Sequence, residues 1–184
     1  MPETMNGKHA TQSMNPPEAF FGYTAHAMMI PPFSPKSMLV LGWGEGTVPW
    51  LTRKIWGEGF QIRGCDIREP KEAWTEIMER ADPTIKFLVA DAQAYVKSCE
   101  PSDFVMVDIY NGSKIPSFVF SPDFIVDVWR ATKKLLCINC TFHDFKEFDV
   151  YDTAFDLDIV KQVNRDRVLF FNPKIKPAPL EVAA

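Results

Sequence analysis

One segment, residues 38–47 with the sequence MLVLGWGEGT, constrains the fold of this chain more than any other. A run of apolar residues passes directly into three glycines at every second position, Gly42, Gly44 and Gly46. The pattern predicts a strand buried on both faces of a parallel sheet, followed by a tight turn. Because glycine has no Cβ, such a turn can adopt positive φ and bring N–H groups close to a ligand, just before a helix start that favours acidic groups. A close helix-to-strand crossing gives the same pattern, so the residues that follow must decide.

Composition predicts a single globular domain. The 184 residues are 46% hydrophobic and 13% aromatic, enough for a full core. The formal net charge is −4, from 20 basic and 24 acidic residues, with no basic run that would follow a phosphate backbone. No apolar stretch reaches the roughly 20 residues of a membrane span, and no leader pattern opens the chain. We therefore predict a soluble cytoplasmic protein without nucleic acid or membrane partners, with a flexible tail over residues 1–18, one domain over 19–172 and a second tail over 173–184.

The four cysteines do not predict a metal site. Cys137 and Cys140 have the CxxC spacing, but they lie in an apolar segment, residues 135–142, that is typical of a strand. Side chains alternate faces along a strand, so residues three apart point to opposite sides of the sheet. A zinc or redox pair would need both thiols on a turn. We expect buried, reduced thiols and no metal.

Acidic residues follow three further predicted strands. Asp66 follows residues 60–65 and can accept hydrogen bonds from ribose hydroxyls, while Ile67 can lie against a purine ring. The alternative for Asp66 is a cap for the helix predicted over residues 70–81. Asp91 and Ala92 follow the strand over 85–90, where a carboxylate and an N–H can bind the amino group and a ring nitrogen of adenine. Asp108 follows the apolar strand over 104–107, with a turn cap as the alternative role.

The chain after Asp108 predicts a loop, a helix and a hairpin. Residues 109–121 contain turn residues and are long enough to form a lid over a ligand. Phe118 and Phe120 in this loop are predicted to be exposed, either sealing a homodimer or closing over the ligand. The sequence Ser121-Pro122-Asp123 has the cap, first-turn proline and acid of a helix start. Residues 158–163 and 167–171 then predict an antiparallel hairpin.

The order of these motifs resembles the class I S-adenosylmethionine-dependent methyltransferases and, within that superfamily, the spermidine synthase-like branch. The likeness covers residues 23–171. It is carried by the LGWGEG turn over residues 41–46, Cys65-Asp66-Ile67, Ala90-Asp91-Ala92, Val107-Asp108, and the segment from Ile115-Pro116 to Ser121-Pro122-Asp123-Phe124. The resemblance implies an α/β fold: a three-layer Rossmann-like sandwich whose sheet is mostly parallel and ends in an antiparallel hairpin.

The resemblance also implies roles for individual residues. The glycine turn with Glu45 would surround the methionine part of S-adenosylmethionine or its decarboxylated form, and Asp108 would bind and deprotonate an attacking amine. Aminopropyltransferases carry a second aspartate where this chain has Asn111, and usually aspartate where it has Glu45. The cofactor-binding residues implied are Gly42, Gly44, Glu45, Gly46, Asp66, Ile67, Asp91, Ala92 and Asp108.

The chemistry that these groups support is an in-line displacement at a carbon activated by a sulfonium. The protein must then hold the nucleophile close, aligned and unprotonated. Asp108 and His143 are the predicted proton acceptors, and Tyr110 is a third catalytic candidate; for His143 the alternative is a solvated loop residue. The sequence thus predicts methyl transfer to a small-molecule acceptor, with an amine among the candidates. Aminopropyl transfer and a non-catalytic nucleoside-binding or interaction module are the alternatives, and a nicotinamide-dinucleotide domain fits less well because its fingerprint needs glycine where Thr47 stands.

Overall fold

The computed structural model describes residues 28–70, 82–141, 143–163 and 166–175. The strands are β1 (Ser37–Leu41), β2 (Gln61–Asp66), β3 (Ile85–Val89), β4 (Ser102–Val107), β5 (Thr132–Asn139), β6 (Phe155–Val163) and β7 (Asp166–Pro173). The α-helices in the described ranges are α1 (Thr47–Trp56), α2 (Ala92–Ser98) and α3 (Pro122–Ala131), with 3-10 turns at Ser117–Phe120 and Phe145–Thr153. The tail predicted over 1–18, residues 71–81 of the predicted helix and residues 176–184 lie outside the described residues.

The strands form one seven-stranded sheet in the order β3-β2-β1-β4-β5-β7-β6. The first five strands in this order are parallel, whereas β7 is antiparallel to β5 and β6 is antiparallel to β7. This confirms the predicted fold class, a mostly parallel sheet with a C-terminal hairpin. The chain moves outward from β1 to β2 and β3 and then returns to β4 on the other side of β1. The ends of β1 and β4 therefore flank the topological switch point, where open α/β sheets bind their ligands.

Helices cover both faces of the sheet. Val48 of α1 belongs to the core layer on one face, together with Met38 and Phe104 of the sheet. On the other face, Val96 of α2 and Val128 of α3 pack against alternate residues of the same strands. Since successive side chains of a strand point to opposite faces, continuous apolar strands such as β4 supply both layers. The result is the predicted three-layer sandwich.

The helix signals in the sequence were mostly confirmed. Ser121 caps α3 by accepting a hydrogen bond from Phe124 N at 3.4 Å, with Pro122 in the first turn. In α1, whose spacing places Val48, Leu51 and Ile55 on one helical face, Val48 and Leu51 are buried but Ile55 is 50% exposed. Trp56 packs against the core instead, and its indole N–H donates to the carbonyl of Pro31 at 3.1 Å.

The two cysteines lie on opposite faces of the sheet as predicted, although the strand predicted over residues 135–142 ends at Asn139 and Cys140 follows it. Cys137 and Cys140 are free thiols that are both fully buried, and they belong to the core layers on opposite faces of the sheet. Burial raises the pKa of Cys140 to about 12, so this thiol stays protonated. In the described ranges no three His, Cys, Asp or Glu side chains converge as a metal site would require. None of the helices described there combines the length and apolar character needed to cross a bilayer.

Candidate functional site

The glycine turn after β1 lies at the switch point. Gly42, Gly44 and Gly46 all have positive φ, at 89°, 55° and 81°. A Cβ on Gly42 would lie 2.2 Å from the carbonyl oxygen of Asp108, which follows β4. Glycine is therefore required at position 42 because the ends of two neighbouring strands approach each other there. This close approach forms the floor of the candidate site.

Most of the amides in the turn are bonded within the protein. Gly42 N and Trp43 N both donate to the carbonyl of Cys65 at 3.0 Å, and Gly46 N donates to the carbonyl of Trp43 at 3.0 Å. Gly44 N donates to the carboxylate of Asp66 at 2.9 Å. The sequence-based expectation that these N–H groups would face a ligand is therefore wrong for these four. The turn is held in shape before any ligand binds and offers mainly the bare Cα faces of its glycines.

Trp43 supports the turn from beneath. Its side chain is fully buried and packs beside Phe87 of β3, with the ring centroids 5.5 Å apart. Gly64 of β2 makes room for it, since a Cβ there would lie 2.7 Å from Trp43 Cε3 and 2.4 Å from the carbonyl of Val40. Gly64 was not predicted from the sequence, although an isolated glycine within a strand indicates this kind of close packing.

Asp66 stands where the ribose-binding acid was predicted, at the end of β2 beside the glycine turn. One carboxylate oxygen accepts from Gly44 N at 2.9 Å and the other from Arg68 N at 3.1 Å. Each oxygen has a second lone pair, so the carboxylate can still accept hydrogen bonds from ribose hydroxyls. Ile67 next to it is 67% exposed and offers an open apolar face.

Asp91 and Ala92 lie at the end of the neighbouring strand β3. The amide of Ala90 donates to the carbonyl of Asp66 at 2.9 Å, which joins the two strand ends. Asp91 is exposed and caps α2, where one oxygen accepts from Ala94 N at 3.0 Å. Ala92 is the first residue of that helix, so its N–H has no acceptor within the helix and remains suited to a ring nitrogen. The cap therefore occupies one oxygen of the Asp91 carboxylate, which was predicted to bind the amino group of adenine.

Asp108 follows β4 on the other side of the switch point. Its Oδ1 accepts a hydrogen bond from Asn139 Nδ2 at 2.9 Å. Burial raises the pKa of Asp108 from its ordinary 3.8 to about 6; the negative charge of Asp66 raises this pKa further, whereas the hydrogen bond from Asn139 lowers it. A carboxyl group with this acidity can exchange a proton near neutral pH, as a general base must.

Tyr110 is bonded to the end of β5. Its hydroxyl lies 3.1 Å from the carbonyl oxygen of Asn139 and 3.1 Å from that of Thr141. Burial and the nearby carboxylate of Asp108 raise the pKa of Tyr110 well above its usual value, so the hydroxyl is a neutral donor. Tyr110 and Asp108 were predicted from the sequence, but Asn139, which connects them, was not. The only signal for it was a polar residue at the end of an apolar strand.

Within the described part of the chain, the imidazole of His143 makes its hydrogen bonds with Ile115 and Glu147 and none with Asp108. Its Nε2 accepts from the amide of Ile115 at 3.1 Å, and its Nδ1 lies 3.1 Å from an oxygen of Glu147. An acceptor at Nε2 requires the proton on Nδ1, so the imidazole connects the 109–121 loop to the 3-10 turn that follows β5. This geometry favours a structural role over the predicted proton acceptor.

The 109–121 loop is packed rather than open. Ile115 and Val119 are buried in the core, and the hydroxyl of Tyr151 donates to the carbonyl of Val119 at 2.8 Å. Phe118 and Phe120, which we predicted to be exposed, are half-buried. They pack edge-on against aromatic rings of α3 and of the following 3-10 turn. The sequence alone could not show that Phe120 packs against Phe148, because these two residues are distant along the chain.

Neither a protein-family model nor a curated protein matches the sequence. Solved structures do match the fold. A TehB-like S-adenosylmethionine-dependent methyltransferase from Corynebacterium glutamicum aligns at a TM-score of 0.60 and 15% identity, over 82% of this chain and 88% of that one. The 1,6-didemethyltoxoflavin N1-methyltransferase of Burkholderia thailandensis, solved with S-adenosylhomocysteine, aligns at 0.61 and 13% identity over 81% and 76%.

A third match is the fibrillarin of Aeropyrum pernix, solved with bound S-adenosylmethionine. It aligns at a TM-score of 0.61 and 14% identity, over 80% of this chain and 72% of that one. The fold is that of the class I methyltransferases. At these sequence identities the likeness shows the fold alone. The chemistry depends on the residues at the switch point.

Proposed function

We propose that this protein is an S-adenosylmethionine-dependent transferase that methylates a small-molecule nucleophile. The observation that carries the proposal is the arrangement at the switch point. The glycine turn and Asp66 are joined by a hydrogen bond of 2.9 Å on one side, and Asp108 lies against Gly42 on the other. Two solved methyltransferases and a fibrillarin of the same fold support it, and two of these three structures contain S-adenosylmethionine or S-adenosylhomocysteine.

The residues at this edge fit an adenosyl cofactor in their chemistry. Asp66 offers carboxylate lone pairs for ribose hydroxyls, Ile67 offers an exposed apolar side chain for a purine, and Ala92 offers an N–H. Gly42 and Gly44 present no side chains that would exclude the methionine portion. These are the residues that would hold the cofactor. Asp91 would contribute the carboxylate lone pairs that are not used in capping α2.

When bound, S-adenosylmethionine supplies an electrophilic methyl carbon on a positively charged sulfur. The protein then has to position a nucleophile in line and keep it unprotonated. Asp108 is placed to attract a cationic acceptor and to take its proton, because its pKa of about 6 leaves the carboxyl mostly ionised at neutral pH. The hydroxyl of Tyr110 stays neutral and is held at the end of β5, where its proton is directed at the backbone carbonyls of Asn139 and Thr141.

Calorimetry tests the proposal without knowledge of the acceptor. We expect S-adenosylhomocysteine to bind the wild-type protein with a Kd in the micromolar range. The substitution Asp66→Asn keeps an oxygen for only one of the two backbone donors, Gly44 N and Arg68 N, and removes the charge that ribose hydroxyls bind, so affinity should fall by about tenfold to a hundredfold. Asp152→Asn is the matched control, because this exposed aspartate lies by Lys174 beyond the end of β7, at the opposite edge of the sheet. Absence of measurable binding to the wild-type protein would overturn the proposal.

Aminopropyl transfer from decarboxylated S-adenosylmethionine is the second candidate, favoured by the half-buried Asp108 that an amine cation would approach. At the position of the second aspartate, Asn111 makes a backbone bridge with Lys114. Incubation with that donor and putrescine should release methylthioadenosine only if this candidate holds. A binding module without catalysis would instead bind S-adenosylhomocysteine and turn over neither donor.

We further expect a cytoplasmic protein, with homodimerisation open to test by light scattering.

A further inference from the structure

The amide of Asn139 has only one orientation that its neighbours allow. Asn139 is the last residue of β5 and is 8% exposed. Thr141 N lies 3.1 Å from its side-chain oxygen, and a backbone N–H can only donate. The oxygen of the amide must therefore face Thr141, and the NH₂ group must face Asp108, whose Oδ1 lies at 2.9 Å.

The backbone of Asn139 is also held in place. Its strand partner is Val168 of β7, and its carbonyl oxygen lies 3.1 Å from the hydroxyl of Tyr110. The donor to Asp108 thus projects from a fixed strand end rather than from a loop. Among the described residues, Asn139 donates the hydrogen bond to the Asp108 carboxyl, and it does so to one oxygen.

We propose that Asn139 is a positioning residue that fixes the orientation of the Asp108 carboxylate, engaging Oδ1 and leaving Oδ2 for a cationic group at the switch point. The identity of that group rests on the proposed function, in which the sulfonium and an amine acceptor are the cations. The orienting role itself concerns only this chain. It also requires that Asn139 stabilise the ionised form of Asp108, because an N–H donor binds a carboxylate more strongly than a carboxylic acid.

The titratable groups that face Asp108 come from three elements. Asp66 ends β2, Tyr110 lies in the loop after β4, and Cys137 belongs to β5. None of these supplies a positive charge to Asp108. The neutral amide of Asn139 is therefore the described group that opposes the effect of burial on the acidity of this carboxyl.

Carbon-13 NMR titration of the aspartate carboxyls tests this directly, with the Asp108 signal assigned from Asp108→Asn. In Asn139→Ala we expect the Asp108 midpoint to rise by about one pH unit relative to wild type. Asn139→Asp preserves the shape and the acceptor for Thr141 N but places a second carboxyl beside the first, so the upper apparent midpoint of the pair should rise further. Asn172→Ala removes an exposed amide from β7 and should leave the midpoint in place. Equal midpoints in wild type and both Asn139 variants would overturn the proposal.

A ligand-based measurement separates this inference from the proposed function. S-adenosylmethionine carries the sulfonium charge and S-adenosylhomocysteine does not. The affinity for S-adenosylmethionine, divided by that for S-adenosylhomocysteine, should therefore increase as Asp108 ionises. In Asn139→Ala that increase should move to higher pH while the affinity for S-adenosylhomocysteine stays within about twofold of wild type. If neither compound binds the wild-type protein, the proposed function fails and the NMR titration still decides the role of Asn139. If both bind and the ratio follows the same pH course in the variant, the orienting role is wrong.

Discussion

The two halves of the switch point are built in different ways. The cofactor half, formed by the glycine turn and Asp66, is held by backbone amides that donate to a neighbouring strand end and to one half-exposed carboxylate. The acceptor half, formed by Asp108, Tyr110 and Asn139, is a side-chain network between the ends of β4 and β5. The first half is polar but open, whereas the second confines a carboxyl where burial raises its pKa.

This difference separates binding from chemistry. Carboxylates that accept local backbone hydrogen bonds remain ionised at little cost, which suits the recognition of hydroxyl groups. A confined carboxyl is costly to ionise, and it becomes useful only if a cation or a proton transfer compensates. The acceptor half therefore lowers stability in exchange for reactivity, and substitutions there should separate the two.

The largest effect should come from Gly42→Ala, because Gly42 is where the halves meet. Its Cβ would lie 2.2 Å from the carbonyl of Asp108, in addition to the strain of a non-glycine residue at φ 89°. We expect the free energy of unfolding to fall by about 4 kcal/mol, measured by urea denaturation, with loss of binding to S-adenosylhomocysteine. Gly59→Ala is the matched control: its φ is 103° but no atom lies within 4 Å of the added Cβ, so a loss of only about 1 kcal/mol is expected. Similar losses in both variants would show that the halves are not in contact.

Asp108→Asn should stabilise the protein at neutral pH by about 3 kcal/mol. The pKa of Asp108 is raised on folding, from 3.8 to about 6, so the folded state binds more protons than the unfolded state between these values. The wild-type protein thus loses stability as the pH rises from about 4 to about 6, and the asparagine variant does not. The advantage of Asp108→Asn should be constant above pH 6 and should shrink toward pH 4. Thermal denaturation over this pH range measures the difference in stability between the two proteins. If that difference does not change with pH, the ionisation of Asp108 does not reduce the stability of the folded state.

A smaller effect is expected for Tyr110→Phe. The hydroxyl of Tyr110 contacts the carbonyl oxygens of Asn139 and Thr141, each at 3.1 Å. The phenylalanine variant loses these contacts while its ring remains packed. We expect the free energy of unfolding to fall by about 1 kcal/mol in urea denaturation, the usual contribution of one hydrogen bond between neutral groups. No change would indicate that water replaces the hydroxyl and that the acceptor half is more open than described.

The cofactor half was easier to predict from sequence than the acceptor half. The glycine spacing, the apolar strands and the acids that follow them are local patterns, and each appeared where the sequence predicted it. Asn139 and its bond to Asp108 depend on the pairing of β4 with β5, which joins residues 31 positions apart. The role of Gly64 likewise depends on a tryptophan in the turn that follows the neighbouring strand β1. Tertiary contacts of this kind leave no periodicity to read, and the same holds for the packed 109–121 loop.

The central claim is that the cofactor half binds an adenosyl group through Asp66, and a crystal structure of the complex with S-adenosylhomocysteine tests it most directly. The account predicts ribose hydroxyls within hydrogen-bond distance of the Asp66 carboxylate, with the purine beside Ile67 and the N–H of Ala92. The thioether sulfur should then lie above the glycine turn, on the side of Asp108. A ligand bound elsewhere, or a ribose with no contact to Asp66, would contradict the account.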